Sequence, residues 1–182
     1  MSKRSPYSSA AITLHWLIAL LVIGQFIGIQ YAHGLPEGDP STGTVYMIHK
    51  STGITILALT LIRLIIRLTE SFPPLPVHMA RWEVILARGT HILFYLLLLI
   101  VPLAGWAFAV TPERGLDWYG VLPIPALPLS GARDVLHDVH EIAAQGIFYL
   151  FFLHVAGALK HHFLDRDDVL TRMIPALRRT RG

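Results

Sequence analysis

Four apolar runs dominate the chain. At a helical rise of 1.5 Å per residue, each is long enough to cross a hydrocarbon layer of roughly 30 Å. They are AAITLHWLIALLVIGQFIGIQY (10–31), VYMIHKSTGITILALTLIRLIIRL (45–68), ARGTHILFYLLLLIVPLAGWAFAV (87–110) and VHEIAAQGIFYLFFLHVAGALKHH (139–162). The first follows Lys3 and Arg4, as a secretion signal would, but it is long for a signal core and lacks a clear A-x-A cleavage site. It reads as a retained span. Short connections between the first three runs predict an up-down-up-down, all-α integral membrane four-helix bundle. With no internal repeat and no second domain visible, residues 1–182 form one transmembrane domain in this reading. The last connection, TPERGLDWYGVLPIPALPLSGARD, is longer and proline-rich and is expected to be irregular.

Composition supports a lipid setting: 53% of residues are hydrophobic, 15% are charged, and mean hydropathy is +0.54. Cysteine is absent, which excludes disulfides, thiolate-held iron–sulfur clusters, CxxCH heme attachment and cysteine zinc sites. Ten histidines remain as the principal soft ligands. The net charge of +3 and pI near 9.4 do not point to nucleic acid, because the basic residues flank apolar segments and no nucleic-acid-reading module is present. They report orientation instead. Lys3, Arg4, Arg63, Arg67, Arg81, Arg88, Lys160, Arg166, Arg172, Arg178, Arg179 and Arg181 fall on one side if both termini are cytoplasmic. The other side carries Glu37, Asp39, Glu113, Arg114, Asp117, Arg133 and Asp134. The expected location is the bacterial inner membrane with both termini inside.

With direction assigned, the histidines sort by depth. His15, His91 and His154 fall toward the cytoplasmic ends of spans one, three and four, while His49 and His140 fall toward the outer ends of spans two and four. Ionisable residues inside a span are costly and are functional candidates by default. Fourteen helical residues separate His140 from His154, about 21 Å of rise and about 40° of rotation, so one face of span four carries a histidine at each level. Axial ligation of heme by two neutral imidazoles needs side chains opposed at one height on facing helices, and this pattern can provide it twice. A zinc or di-iron site would need three or more ligands gathered in one place, yet the spans offer only Glu141 near a candidate level. A proton relay would not require pairing at two depths.

Arg63 lies fourteen positions after His49, which returns it to the same helix face at the inner level; it can pair with heme propionates or snorkel to the interface with Arg67. Lys50, beside His49, can pair with a propionate or attract an anion. Pro102 is expected to kink span three, and Gly53, Gly105, Gly146 and Gly157 allow close helix approach or room for a ring. Tyr31, Trp106, Trp118 and Tyr119 read as interfacial anchors. His33, His78 and His137 carry no assigned role.

The stretches LHWLIALL, MIHKSTGI, THILFYLLLLIVPLAGW, VHEIAAQGIFYLFFLHVAGALKHHF and DRDDVLTRMIP together resemble the bacterial cytochrome b561 family, and within it the small stand-alone superoxide oxidase members. The resemblance covers all four spans and the tail. It implies two hemes b: an inner one on His15 and His154, and an outer one on His49 and His140. It leaves His91 to bond a propionate or line a quinone pocket, and it places that pocket near the inner heme, where His161 and His162 can bond or protonate ubiquinone. The implied activity is electron transfer from superoxide at the outer face to ubiquinone, with Lys50 and Arg133 as attractors of the anion. Two other readings compete with it. One is a cytochrome b anchor fed by a periplasmic redox protein such as a hydrogenase, and the other is a non-heme scaffold or transporter.

Overall fold

The computed structural model describes residues 7–71, 73–111, 115–127 and 129–177. Lys3, Arg4, Glu113, Arg114, Arg178, Arg179 and Arg181, which entered the charge argument, lie outside the described residues. Four long helices form: α1 (Ser9–His33), α2 (Ser41–Thr69), α3 (Arg81–Ala109) and α4 (Arg133–Lys160). All four are long and apolar enough to cross a membrane. A π-helical turn, His161–Asp165, and a short helix α5 (Val169–Met173) follow.

α1, α2 and α3 begin earlier than their apolar runs, where polar side chains meet the amides of the first turn. The Ser8 hydroxyl accepts from Ala11 N (3.1 Å), the Asp39 carboxylate accepts from Ser41 N (2.8 Å), and the Glu83 carboxylate accepts from Ala80 N (2.8 Å). Each satisfies an amide that the first helical turn leaves without a partner. α3 continues through Pro102 to Ala109 without a break.

The bundle turns its small and hydroxyl-bearing residues inward. Ala11, Ala32, Ser51, Thr60, Thr90, Ala104 and Ala107 are buried, whereas Leu20, Ile27, Leu68, Ile85, Ile142 and Tyr149 are more than half exposed. Lipid supplies no hydrophobic drive between helices, so close approach over small residues and hydrogen bonds must hold them. Backbones pack closely between α1 and α2, α2 and α3, and α3 and α4. α4 meets α1 and α2 chiefly through rings instead, for example Phe26 and Phe148 with centroids 5.5 Å apart.

The long connection before α4 is not wholly irregular, as the sequence led us to expect. Strands β1 (Leu116–Trp118) and β2 (Leu122–Ile124) pair antiparallel around a turn in which Tyr119 (φ 50°) and Gly120 (φ 75°) both adopt positive φ. Two such residues match the twist of a hairpin; glycine takes the conformation freely, while tyrosine must be held there. α2 holds it: Tyr119 Oη lies 2.8 Å from Thr52 Oγ1, Tyr119 N donates to Ser51 Oγ (3.0 Å), and Trp118 Nε1 donates to Thr55 Oγ1 (3.1 Å). Trp118 and Tyr119 therefore clamp the hairpin to the bundle rather than anchoring it to lipid headgroups.

At the opposite end the tail folds back under the helices. Trp16 Nε1 donates to Met173 O (2.9 Å). The buried Arg172 donates from Nη1 to Pro74 O (2.8 Å) and places Nη2 2.8 Å from Asp168 Oδ1. Arg172→Ala leaves the Pro74 carbonyl without this donor and should destabilise the protein by about 1–3 kcal/mol. Thermal denaturation in detergent should show a lowered midpoint, with Arg172→Lys recovering part of the loss.

Candidate functional site

The histidines that the sequence sorted by depth come together in pairs across the bundle. At the end that carries the termini, the rings of His15 on α1 and His154 on α4 have centroids 6.2 Å apart at an interplanar angle of 58°. Toward the hairpin end, His49 on α2 and His140 on α4 stand 6.1 Å apart at 75°. For an iron held between two imidazoles, about 2.0 Å per metal–nitrogen bond and about 1.1 Å from each nitrogen to its ring centre give roughly 6.2 Å between centroids. Both separations fit a bis-imidazole heme.

Local contacts orient the outer pair. His140 Nδ1 donates to the Val101 carbonyl at 2.8 Å, which leaves Nε2 with its lone pair, the form a metal ligand requires. Gly105 makes this approach possible: a Cβ there would lie 2.9 Å from His140 Nδ1 and 3.0 Å from Cε1. Gln25 Nε2 donates to His49 O (2.9 Å), tying α1 to the turn of α2 that carries the other ring. His49 Nδ1 is buried with no hydrogen-bond partner. A cavity of about 400 Å³ adjoins the two rings, walled mainly by apolar residues, with Gly53 and Gly105 in its lining. That is within the range of cofactor pockets. The orphaned imidazole nitrogen, the glycine-lined walls and the ring separation all suit a porphyrin.

The inner level is more crowded. Arg63 reaches it as the helix arithmetic requires, and its Nη1 donates to the Ala11 carbonyl while Nη2 lies 3.5 Å from His15 Nδ1. The guanidinium thus crosses to α1 instead of snorkelling outward. His91 sits 5.4 Å from His154 by ring centroids, with Phe94 on the same imidazole at 5.5 Å. Nδ1 of His91 donates to Ala87 O (2.6 Å), so its Nε2 remains an acceptor.

The other expected residues scatter. Lys50 lines the outer cavity, whereas Arg133 opens α4, exposed and outside that lining. His161 is buried against Asp165 and Asp167, and His162 packs its ring on Phe163 with centroids 4.9 Å apart. Sequence reasoning missed Gln25, Gln145, His33 and His137, all of which line the outer cavity. An amide in the middle of an apolar span was the available signal for Gln25, because such a group needs a partner inside the bundle.

Comparison with known proteins gives a consistent result. A family model described as prokaryotic cytochrome b561 matches residues 6–176. The chain is 32% identical over 175 residues to a probable superoxide oxidase, CybB, of Yersinia pestis, covering 94% of this chain and 97% of that protein. It is 30% identical over 177 residues to cytochrome b561 homolog 2 of Escherichia coli K12 (92% and 90% covered). Against cytochrome b562 of Cereibacter sphaeroides it is 28% identical over 178 residues (96% and 98% covered).

Gly105→Ala should push the His140 ring off its Val101 bond and weaken retention of heme b. Pyridine hemochrome per polypeptide should fall while far-UV circular dichroism keeps its helical signal.

Proposed function

The chain belongs to the prokaryotic cytochrome b561 family, and from that premise we propose that it is a diheme cytochrome b of the bacterial inner membrane that oxidises superoxide outside and reduces ubiquinone within the bilayer. In this reading both termini are cytoplasmic. His15 and His154 hold the inner heme, and His49 and His140 the outer one. The observation that carries the reading is the pair of cross-helix imidazole separations, 6.2 and 6.1 Å, at two levels of one bundle. The relative named as a probable superoxide oxidase supports the choice of donor.

Heme iron, when bound, accepts and releases single electrons, which suits a one-electron donor and a two-electron acceptor. The chain's own residues set the conditions. Val101 O and Gly105 fix His140, and Gln25 fixes the turn that carries His49. Arg63, whose Nη2 lies beside His15 at the inner level, would pair with propionates in this reading. Lys50 at the outer cavity and Arg133 at the head of α4 provide positive charge for an incoming anion. His91, with an acceptor nitrogen beside the inner pair, and His161 and His162 below it line the region proposed for the quinone.

The outer end favours one competing donor. Glu37, Asp39, Asp117, Asp134 and Asp138 face the same side as Lys50 and Arg133, so the local field is not strongly attractive to superoxide. A basic periplasmic electron-carrier protein would be drawn to such a surface.

Purified protein should contain two hemes b per chain, become reduced on addition of a superoxide source, and be reoxidised by ubiquinone. His49→Ala should retain one heme and lose superoxide-driven reduction, whereas dithionite should still reduce the heme that remains. Two hemes that ignore superoxide would transfer the donor role to a protein. Heme absent from well-folded protein would overturn the ligand assignment.

A further inference from the structure

An ionic cluster at the end carrying the termini plays no part in holding the histidine pairs. His161 Nδ1 lies 2.7 Å from Asp167 Oδ2 and 3.0 Å from Asp165 Oδ2, and His78 Nε2, from the connection between α2 and α3, lies 3.4 Å from the same Asp167 oxygen. Only the outer member meets water: the His78 side chain is 56% exposed, while those of Asp167 and His161 are 5% and 10% exposed. Asp165 is engaged differently. Lys160 Nζ sits 2.7 Å from its Oδ2 and also bonds Glu83, which leaves Asp167 as the carboxylate shared by two imidazoles. Asp168 is paired with Arg172, and the His162 ring rests on Phe163.

The direction of the chain matters. His161 follows His154 by seven residues, about 10 Å of rise and about 20° of rotation, so it continues the stripe of α4 that carries the inner imidazole. A buried histidine beneath that pair is joined through one carboxylate to a histidine in water. We propose that His78, Asp167 and His161 form a proton relay from the cytoplasm to a quinone bound below the inner pair, an inference that rests on the quinone-reducing reading above.

The balance is two superoxide anions, one quinone and two protons giving two dioxygen molecules and one quinol. Each superoxide loses one electron, the quinone gains two, and an O–H bond forms at each of its oxygens. The relay supplies the proton to the oxygen nearer His161, and the other comes from interfacial water. A proton taken up at His78 passes to the Asp167 carboxylate and on to His161 Nδ1. It leaves the ring from Nε2, and ring rotation resets the imidazole.

The test uses the heme-loaded full chain in detergent with a short-chain ubiquinone. Asp167→Asn keeps an oxygen to accept from Val169 N, a bond now 3.0 Å long, and removes the proton-carrying carboxylate. His78→Ala changes a half-exposed loop residue. Both variants should show wild-type rates of heme reduction by superoxide, quinol formation slowed at least about tenfold, and a larger solvent deuterium isotope effect. Added imidazole should restore His78→Ala, a rescue that a merely structural contact would not give. If wild-type protein forms quinol and both variants match it, or if imidazole leaves His78→Ala unchanged, the relay is overturned while the parent reading stands. Wild-type protein that carries hemes and reduces no quinone overturns the parent reading itself.

Discussion

Four imidazoles must be held about 6 Å apart in pairs, and that requirement organises the bundle. α4 can serve both pairs because fourteen residues come close to a whole number of turns, so His140 and His154 share a face. The helices that oppose it are kept at a distance. α1 packs on α2 and α3 packs on α4, but α4 reaches α1 and α2 through rings. Under the proposed function flat cofactors occupy such a gap, and the contacts around it set ring positions rather than filling space. Gly105 admits the His140 ring to the Val101 carbonyl, and Gln25 grips the backbone at His49. In a bundle where lipid competes for every apolar face, these few directed contacts carry more of the specificity than core packing does.

Features fixed by local sequence were legible. Span length and order follow from runs of apolar residues, and the two histidine levels follow from helix rise alone, as does the return of Arg63 to the inner level. What the sequence left open at Arg63 was its partner, because the Ala11 carbonyl belongs to a helix fifty residues away whose rotation no single span reveals. The hairpin was missed for a related reason. Its Tyr119–Gly120 turn is short and sits among prolines, and it is held by Ser51, Thr52 and Thr55, which read only as ordinary residues of a span. His78 had no assignable role because its partner Asp167 lies in the folded-back tail. In each case the missing information was a contact between segments remote in the chain.

The two ends of the bundle are built for different traffic. The hairpin end has a wide cavity with largely apolar walls, and its polar groups, among them His33, Lys50, His137 and Glu141, line the cavity. The other end is closed by the tail through Trp16, Arg172 and the His161 cluster. Under the proposed function, electrons traverse most of the bilayer between histidine levels about 21 Å apart, while protons are taken up on the side to which electrons travel. No proton then accompanies the electron across, and each electron carries a full negative charge inward. Against an inside-negative potential that movement costs about 2.3 kcal/mol per 100 mV. The drop in potential from donor to quinone must therefore exceed the membrane term, and the reaction conserves part of it as charge separation.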